Sequence, residues 1–518
     1  MPEMLASYAA GEWYTAPDEG AVVVDAATGD PVARVSTTGI DTRAMVDHAR
    51  HVGGPALRRL TFQERAAALK ELATYLDAHK DAYHELSLAT GATRRDGTGD
   101  IDGGIGTTFV FSSRGRRELP DGYLLTDGDV ESIGKGGTFV GQHVYTSLPG
   151  VALQINAFNF PVWGMLEKLA PAVLAGVPTI VKPATQTAYL TAAVMHDIIA
   201  SGALPEGAVQ FLCGSAGDLL DHLGGEDVIA FTGSASTAAV LRDSDAVTAR
   251  SARFNAETDS LNCSILGADA VTGTPEFDLY VKEISREITT KAGQRCTCIR
   301  RALIPESMVD DVIAGVRARL DKAVVGNPRN ETVTMGALVS LRQRDEVRVA
   351  VAALGRATET VYGDALSVDP VDADPDRGAF MAPVVLLATG DRPEPHEIEA
   401  FGPVTTLIPY SAPAGLGALA ARGGGSLVGS IVSYDPAFVR RVVTEIAAHH
   451  GRLLVLDRDS AGESTGHGTP MPQLVHGGPG RAGGGEELGG MRAVKHFMLR
   501  TALQGSPAVI AALLDGSS

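Results

Sequence analysis

Short apolar runs alternate with amphipathic stretches through the middle of the chain. Strands are predicted over 151–155, 179–181, 208–212 and 228–231, with helices over 163–175, 189–200, 217–223 and 235–242 between them. Strand–helix alternation of this kind builds a parallel sheet covered by helices on both faces. Ligands of such sheets bind beyond the carboxyl ends of the strands. The pattern therefore predicts a doubly wound α/β fold with a cleft at that edge.

A second α/β region is predicted from about residue 260. Its helix over 277–291 places Phe277, Tyr280, Ile284 and Ile288 on one face, and a strand over 302–304 follows it. The flanking segments contribute a helical stretch over 54–90, a hairpin over 136–156 around a Pro-Gly turn, an irregular glycine-rich loop over 462–490 and a terminal strand over 493–503. The terminal strand is predicted to pair with the hairpin.

Composition narrows the class of protein. With 518 residues, 44% hydrophobic and 20% charged, the chain is long enough for two or three globular domains. Its net charge of −18 argues against a nucleic-acid partner, because phosphates require Lys and Arg. The sequence contains no run of eighteen apolar residues, so no membrane span is predicted. Residues 1–4 do not resemble a signal peptide. Four cysteines make no disulfide framework, which favours a reducing cytoplasm.

The segment Gly293-Gln294-Arg295-Cys296-Thr297-Cys298 is the first candidate for chemistry. A cysteine placed on a glycine-permitted turn just after a long helix can face a cleft, where its thiolate can act as a nucleophile. The neighbouring Cys298 either bonds reversibly to an oxidised Cys296 or packs beside the site. The histidines and the Cys-x-Cys pair lack the spacing of metal ligands, so no metal is predicted.

Four further segments lie at predicted strand ends. Asn159 either aims its amide into the cleft or caps its own turn, and Lys182 either contacts a nucleotide or is a solvated lysine. Gly233-Ser234 starts a helix. Its amino terminus either binds an anion or is simply capped by the serine side chain. Glu257 is either a general base for water or an ordinary surface carboxylate. Neither a G-x-G-x-x-G nor a G-K-[ST] phosphate loop is present.

The order and spacing of these motifs resemble the aldehyde dehydrogenase superfamily over nearly the whole chain. The matching segments are Asn159-Phe160-Pro161, Lys182-Pro183, 231–234, Glu257, 293–296 and Glu399-Ala400-Phe401-Gly402-Pro403. The resemblance implies an aldehyde dehydrogenase-like α/β fold with two doubly wound parallel-sheet domains and a small β oligomerisation hairpin. It assigns 1–128 and 149–259 to a dinucleotide-binding domain, 260–475 to a catalytic domain, and 129–148 and 490–508 to oligomerisation strands.

The same resemblance implies the roles of the site residues. Cys296 would attack the aldehyde, and Asn159 with the Cys296 backbone N–H would stabilise the oxyanion. Hydride would leave to a nicotinamide, and Glu257 would activate the water that hydrolyses the thioester. Cofactor binding falls to the side chains and backbone of Lys182, Thr185, Gly233, Ser234, Glu399 and Phe401. Two departures, Thr258-Asp259-Ser260 after the base and Ala238 in place of a glycine, remove no reacting atom.

Thr185 bears on the choice of cofactor. In NAD-preferring members of the superfamily a glutamate commonly stands three residues after the strand-end lysine, where it would repel a 2′-phosphate. Thr185 removes that repulsion and Lys182 supplies a positive charge. We therefore predict NADP as the preferred cofactor, with NAD as the alternative.

Three segments set this chain apart within the superfamily: 157–171, 257–262 and 476–490. They resemble the dehydrogenase half of the bifunctional oxepin-CoA hydrolase and semialdehyde dehydrogenase of phenylacetate degradation, without its hydratase half. A free-standing relative that oxidises a dehydroadipyl-CoA semialdehyde is the other candidate. The substrate is predicted to be such a CoA-linked semialdehyde, with a separate enoyl-CoA hydratase as a further partner. The chain has three arginine clusters: 58–59, 94–95, and 114 with 116–117. One of them would guide the CoA phosphates, or each forms a solvated helix face.

Other functions stay open at this point. A CoA-acylating dehydrogenase would not need Glu257, and a general aliphatic aldehyde dehydrogenase would take free aldehydes. A catalytically silent binding protein on the same fold would not need Cys296. The resemblance also implies a homodimer or a dimer of dimers, with a small-molecule aldehyde as the partner.

Overall fold

A computed structural model describes residues 2–412 and 414–514, with the backbone alone for 485–488. Two seven-stranded, mostly parallel sheets organise the chain. Hydrophobic clusters cover both faces of each sheet, as the predicted α/β class requires. Within the described ranges, no helix is long and apolar enough to cross a bilayer.

The first sheet comes from the amino-terminal half of the chain. Its strands lie in the order Arg253–Glu257, Val228–Thr232, Ala152–Ile155, Thr179–Lys182, Val209–Phe211, Ser7–Ala9 and Glu12–Tyr14. Neighbours are parallel as far as Val209–Phe211, and the last two strands are antiparallel. All four predicted strands of this region are therefore confirmed within a residue or two.

The second sheet comes from the carboxyl-terminal half. Its strands lie in the order Thr358–Tyr362, Val384–Ala388, Val404–Tyr410, Arg301–Pro305, Cys263–Leu266, Ser426–Val432 and His450–Leu456. The edge strand Thr358–Tyr362 is antiparallel to its neighbour, and the other pairs are parallel. The predicted second α/β region is thus a complete sheet of its own.

Three smaller sheets complete the strand set. They are Glu3–Met4 with Pro31–Val35 and Ala21–Val24, then Met498–Gly505 with Val140–Ser147 and Leu125–Ser132, and finally His476–Gly478 with Gly485–Leu488. The terminal strand pairs with Val140–Ser147 as predicted. The predicted hairpin over 136–156 is wrong, because Val140–Ser147 turns back onto Leu125–Ser132 while Ala152–Ile155 enters the first sheet. The turn at 149–150 is a crossing between sheets, which a local pattern does not distinguish from a hairpin turn.

The α-helices cover the two large sheets and link them. They are Thr42–His48, Gly54–Arg58, Phe62–Ser87, Arg94–Glu118, Trp163–Ala175, Ala188–Ala200, Ala235–Arg242, Asp245–Thr248, Pro275–Thr289, Val309–Leu320, Leu341–Leu354, Glu394–Glu397, Leu416–Ala421, Pro436–Ile446, Gly490–His496 and Pro507–Leu514. The two longest begin at capping boxes, Thr61 with Glu64 and Thr93 with Asp96, which satisfy their first backbone donors.

Several helix predictions need correction. The helix over 217–223 is a single 3-10 turn, Leu219–His222. The stretch 54–90 is interrupted between Arg58 and Phe62, because Thr61 starts a new capping box. Residues 493–496 belong to the helix Gly490–His496, so the terminal strand begins only at Met498.

Candidate active site

The first sheet gathers four of the predicted site segments at one edge. After Ala152–Ile155 the chain adds Thr179–Lys182 on one side of that strand and, later, Val228–Thr232 on the other. Such a reversal of strand order opens a crevice at the carboxyl ends of the two diverging strands. Asn159 and Gly233 follow these two strands directly, and Lys182 ends the strand beside them. Topology therefore explains why segments far apart in sequence meet.

The second sheet presents its amino ends to the same crevice. Cys296 precedes the strand Arg301–Pro305, and Glu399 with Phe401 precedes Val404–Tyr410. The resulting cleft has a volume of about 840 Å³. It is lined by all nine predicted site residues: Asn159, Lys182, Thr185, Gly233, Ser234, Glu257, Cys296, Glu399 and Phe401.

The loop that carries Cys296 has an unusual backbone. Lys291, Ala292 and Gly293 are consecutive left-handed residues, with φ of 51°, 50° and 68°. A β-carbon at Gly293 would also collide with the carbonyl oxygen of Gly402, so the position requires glycine twice over. This sharp reversal ends the helix Pro275–Thr289 and turns the chain into the cleft.

Side-chain hydrogen bonds from Asn262 and Arg300 anchor the loop that carries Cys296, the nucleophile loop. The Asn262 amide donates to the carbonyl oxygens of Cys296 at 2.8 Å and of Cys298 at 2.9 Å. Arg300 donates to Gly293 O at 2.7 Å and to Gly402 O at 2.8 Å. The Cys298 thiol is buried and donates to the carbonyl oxygen of Glu287 at 3.1 Å. Cys298 thus packs beneath the loop, which is the second of its two predicted roles.

Cys296 is partly exposed to the cleft and lies beside Glu257. Its Sγ, a carboxylate oxygen of Glu257 and a ring nitrogen of His476 lie within 4.8 Å of one another. Burial, followed by the charge of Glu257, raises the pKa of the Cys296 thiol well above its ordinary value. A thiol in this state needs a base at hand to form the thiolate, and the adjacent carboxylate is placed to be that base.

Asn159 is tied to the nucleophile loop by two contacts. Its side-chain amide donates to the carbonyl oxygen of Gln294 at 3.1 Å, and its own carbonyl accepts from the buried Lys291 ammonium. Lys291 also lies 4.2 Å from the centre of the Phe160 ring and 4.0 Å from Asp100. The amide of Asn159 is therefore held against the loop that carries Cys296, and both residues line the same cleft.

Glu399 is a titratable group of the cleft whose pKa departs from its ordinary value. Burial raises its pKa to about 7, although Arg300 at 3.6 Å opposes this. The Ser260 backbone N–H also donates to it at 3.2 Å. The neighbouring Phe401 packs edge-on against Phe158 at 5.9 Å between ring centres. Glu399 is thus held at the cleft wall, where it could accept hydrogen bonds from a sugar.

The helix start after Val228–Thr232 is already capped within the protein. The Ser234 hydroxyl accepts from the Thr237 N–H at 3.3 Å, and Asp259 accepts from the Ala235 N–H at 2.9 Å. Arg481 lies 3.7 Å from Asp259 and lines the same cleft. Gly233 leaves room for the Phe231 ring, which a β-carbon would meet at 2.5 Å. The N-cap interpretation of Ser234 is confirmed, and Arg481 is a cation that the sequence did not reveal.

A second cavity of about 450 Å³ reaches Cys296 from the other side. One wall is a glycine face of the helix Arg94–Glu118, formed by Gly99, Gly103 and Gly106. Trp163 and the loop 465–473 form much of the rest. Cys296 lines both cavities, so the thiol stands where a substrate in one could meet a cofactor in the other.

His476 and Glu167 are site residues that the sequence did not single out. The His476 ring contacts Glu167 at 2.9 Å and Glu257 at 3.3 Å, and all three side chains are buried. Both lie inside segments that set the chain apart, but 309 positions separate them. In the described part of the chain, Glu257, Cys296 and His476 are also the group that could hold a metal ion. The predicted absence of a metal stays a prediction.

The three arginine clusters differ in their surroundings. Arg95 is exposed and lines the second cavity, while its neighbour Arg94 pairs with Glu85 at 2.6 Å. Arg114 pairs with Glu118 at 2.6 Å, which suits the solvated-face alternative. The pair at 58–59 lines neither cavity. Arg95 is thus the one predicted CoA-guiding arginine that borders the reactive centre.

The profile of the Aldehyde dehydrogenase family matches residues 13–499. The chain belongs to this family. A 3,4-dehydroadipyl-CoA semialdehyde dehydrogenase from Aromatoleum evansii is 45% identical over 478 residues, 92% of this chain and 93% of that protein. The Protein MaoC of Klebsiella aerogenes is 47% identical over 182 residues, 35% of this chain and 52% of that protein.

A solved betaine aldehyde dehydrogenase from Staphylococcus aureus, in complex with NAD+, shares the fold with a TM-score of 0.81. It is 20% identical, and the match covers 97% of this chain and 94% of that one. The predicted fold and enzyme class are therefore confirmed. This aldehyde dehydrogenase is an oxidoreductase that acts on an aldehyde group.

Proposed function

We propose that this aldehyde dehydrogenase oxidises a CoA-linked semialdehyde to the carboxylic acid, with NADP+ as the preferred acceptor. The observation that carries the proposal is the meeting of two cavities at Cys296, with Glu257 beside its thiol. One cavity suits a dinucleotide and the other a chain-like substrate, so both reactants reach one sulfur atom.

The first chemical step uses the pair of Cys296 and Glu257. Glu257 takes the thiol proton, and the sulfur adds to the aldehyde carbon to give a thiohemiacetal. The developing oxyanion accepts hydrogen bonds from the Asn159 amide and the Cys296 backbone N–H. A donor of this kind contributes about 3 kcal/mol to the transition state. Asn159 suits the role because its bond to Gln294 fixes the amide before substrate arrives.

The cleft residues fit a dinucleotide by their chemistry. When bound, the nicotinamide ring accepts the hydride that leaves the thiohemiacetal carbon. Glu399 and Lys182 offer an acceptor and a cation for the riboses, and Phe401 offers an apolar wall. Gly233 and Ser234 flank the place for the pyrophosphate, where Arg481 offsets the charge of Asp259. These assignments follow the predicted roles.

Hydrolysis completes the reaction. Once Glu257 has passed the thiol proton to solvent, it removes a proton from water, the water oxygen bonds to the thioester carbon, and Cys296 leaves as the thiolate. A free acid is then the product. A CoA-acylating enzyme would instead pass the acyl group to added CoA and release an acyl-CoA. A silent binding protein would release neither product. Identification of the acid or the acyl-CoA by mass spectrometry separates these alternatives, with Cys296→Ser as the blank.

The preference for NADP+ rests on the charges beside the adenosine end of the cleft. Thr185 and Lys182 both line it, and burial lowers the pKa of Lys182 from its ordinary value. An anionic phosphate next to this ammonium would restore its charged form. We expect a higher kcat/KM with NADP+ than with NAD+. Equal efficiency, or a higher value with NAD+, would show that the reasoning is wrong.

A CoA-linked substrate is supported by the 45%-identical relative and by Arg95. The semialdehyde chain would lie in the second cavity with its aldehyde at Cys296. The CoA phosphates would stay outside, near the exposed guanidinium of Arg95. Either 3,4-dehydroadipyl-CoA semialdehyde or the 3-oxo-5,6-dehydrosuberyl-CoA semialdehyde of phenylacetate degradation fits this scheme.

A substrate panel tests this part of the proposal. Six- and eight-carbon CoA semialdehydes are compared with free aldehydes of the same length, for the native enzyme and for Arg95→Ala. We expect Arg95→Ala to raise KM for the CoA substrates several-fold and to leave hexanal unchanged. Arg116→Ala, an exposed arginine outside both cavities, is the matched control. Equal kcat/KM for free and CoA-linked aldehydes would favour a general aliphatic aldehyde dehydrogenase.

The division of the chain and its assembly also belong to the proposal. The change from one large sheet to the other between Glu257 and Cys263 supports a domain boundary near 259. Exposed apolar side chains on and beside the three-stranded sheet, among them Val130, Ile133, Phe139 and Leu499, support oligomerisation through 129–148 and 490–508. Light scattering of the native protein, with Phe139→Lys as the disruptive variant, tests for a homodimer or a dimer of dimers.

The cellular setting follows from the chemistry. Four free cysteines favour a reducing cytoplasm. A separate enoyl-CoA hydratase is the proposed partner, and it would supply the CoA-linked aldehyde. Neither nucleic acid nor membrane takes part in this scheme.

A further inference from the structure

We propose that His476, held in place by Glu167, is a positioning residue that orients Glu257 and keeps it ionised for its work at Cys296. The proposal rests on the proposed roles of Cys296 and Glu257, and it adds two residues to them. It concerns a buried row of side chains in the order Glu167, His476, Glu257 and Cys296.

The row is fixed by separate elements of the fold. Glu167 projects from the helix Trp163–Ala175, His476 starts the strand His476–Gly478, and Glu257 ends the strand Arg253–Glu257. His476 Nδ1 lies 2.9 Å from Glu167 Oε1, and His476 Nε2 lies 3.3 Å from Glu257 Oε2. The Trp163 ring packs against the imidazole at 5.0 Å between ring centres. With both ring nitrogens facing carboxylates, the imidazole has one favourable orientation.

The charges around His476 decide its protonation state. The groups that face it are the carboxylates of Glu167 and Glu257, the Cys296 thiol and, as an opposing cation, Arg452. Burial and Arg452 favour the neutral ring, but the two carboxylates outweigh them and raise the pKa of His476. An imidazolium hydrogen-bonds Glu167 through Nδ1, and its charge faces Glu257 across an ion-pair contact of 3.3 Å.

Glu257 gains two things from this neighbour. The side chains of Glu167, Glu257 and His476 are each exposed by 4% or less, and a carboxylate so buried favours its neutral form unless a cation faces it. The imidazolium supplies that cation and contacts Oε2, which leaves the other carboxylate oxygen for the thiol or the water. A neutral Glu257 could not take a proton from either. His476 therefore acts through Glu257 and needs no contact with the reacting carbon.

The test measures kcat for hexanal oxidation against pH for the native enzyme and for His476→Gln. Loss of the cation should move the acid limb of the profile upward by about one pH unit. At pH values on the acid side of the profile, kcat of His476→Gln should be about tenfold lower than kcat of the native enzyme. Because both the thiol step and hydrolysis use Glu257, NADPH formation in the first turnover should slow together with steady-state turnover. An unchanged acid limb in a folded variant with native melting temperature would overturn the proposal.

Glu167→Gln gives an independent result with a diagnostic sign. If Glu167 acts by keeping His476 protonated, its loss neutralises the imidazole and moves the acid limb upward as well. If Glu167 acts on Glu257 directly, removing a negative charge moves the limb downward, which would overturn the proposal. His84→Gln is the matched control, because His84 is buried and contacts the carboxylate of Asp102 at 2.8 Å away from both cavities. Its profile should match that of the native enzyme.

Failure of the proposed function looks different. If Glu257→Gln retains native turnover, the base has been misassigned, and His476 has nothing to position. If Glu257→Gln abolishes turnover while His476→Gln and Glu167→Gln leave the pH profile native, only the inference about the row is wrong. Hexanal serves as the probe in all arms, so the outcome does not depend on the CoA-linked substrate.

Discussion

Asn262→Ala should destabilise the protein and loosen the nucleophile loop together. Asn262 has no exposed surface, and its side chain makes four hydrogen bonds. The amide donates to the carbonyl oxygens of Cys296 and Cys298, and the side-chain oxygen accepts from the Ser260 hydroxyl and the Val428 N–H. The alanine variant leaves two carbonyls and one N–H without a hydrogen-bond partner. The Ser260 hydroxyl is not counted, because it can rotate towards another acceptor.

The expected cost follows from those stranded groups. A buried backbone group left without its partner costs about 1–3 kcal/mol, so three of them cost at least about 3 kcal/mol. We expect a clear fall in the denaturation midpoint. We also expect a slower reaction of Cys296 with iodoacetamide in the folded variant, because its loop has lost its anchor. Alkylation is followed by mass spectrometry, with Cys296→Ser as the blank.

Asn156→Ala is the matched control for stability. Asn156 is nearly as buried, at 4% exposed, but neither its Oδ1 nor its Nδ2 has a hydrogen-bond partner among the described residues. Its removal strands nothing, so we expect a change within about 1 kcal/mol. If the two variants unfold at the same denaturant concentration, the hydrogen bonds of Asn262 do not hold the loop as we argue.

Three other changes probe the two cavities. Since burial raises the pKa of Glu399 to about 7, it is ionised above that pH and accepts hydrogen bonds more strongly. KM for NADP+ should therefore fall roughly fivefold, or about 1 kcal/mol, between pH 6 and pH 8, and Glu399→Gln should show no such trend. Thr185→Glu should lower kcat/KM for NADP+ at least about fivefold with little effect on NAD+, because like charges about 4 Å apart cost about 1–4 kcal/mol. A β-carbon at Gly106 meets nothing within 4 Å, so Gly106→Leu should fill part of the second cavity. That variant should oxidise octanal poorly and acetaldehyde normally, and equal effects on both in steady-state kinetics would count against the assignment of this cavity.

Much of this protein can be predicted from its sequence because the evidence is local. The four predicted strands of the first sheet are short apolar runs, and Asn159, Lys182 and Gly233 stand at or just after strand ends. Because ligands bind at one edge of such a sheet, Asn159, Lys182 and Gly233 are predicted to meet there. The order of motifs completed the set with Glu257 and Cys296.

Tertiary structure decided what depends on distant partners. The strand Val140–Ser147 pairs with Leu125–Ser132 and Met498–Gly505, which its own pattern cannot specify. Arg95 became distinct from the other arginines only when one helix face was placed beside Cys296.

Glu167 and His476 show the physical reason most clearly. In the sequence each is an isolated polar residue, and nothing local distinguishes a core histidine from one that faces a catalytic base. Their meaning comes from burial and from contacts of 2.9 Å and 3.3 Å between three elements far apart in the chain. Local propensity and periodicity determined which elements form and which side chains end them. Only packing decided which charges share a buried space, because electrostatic coupling depends on distance and desolvation rather than on sequence order.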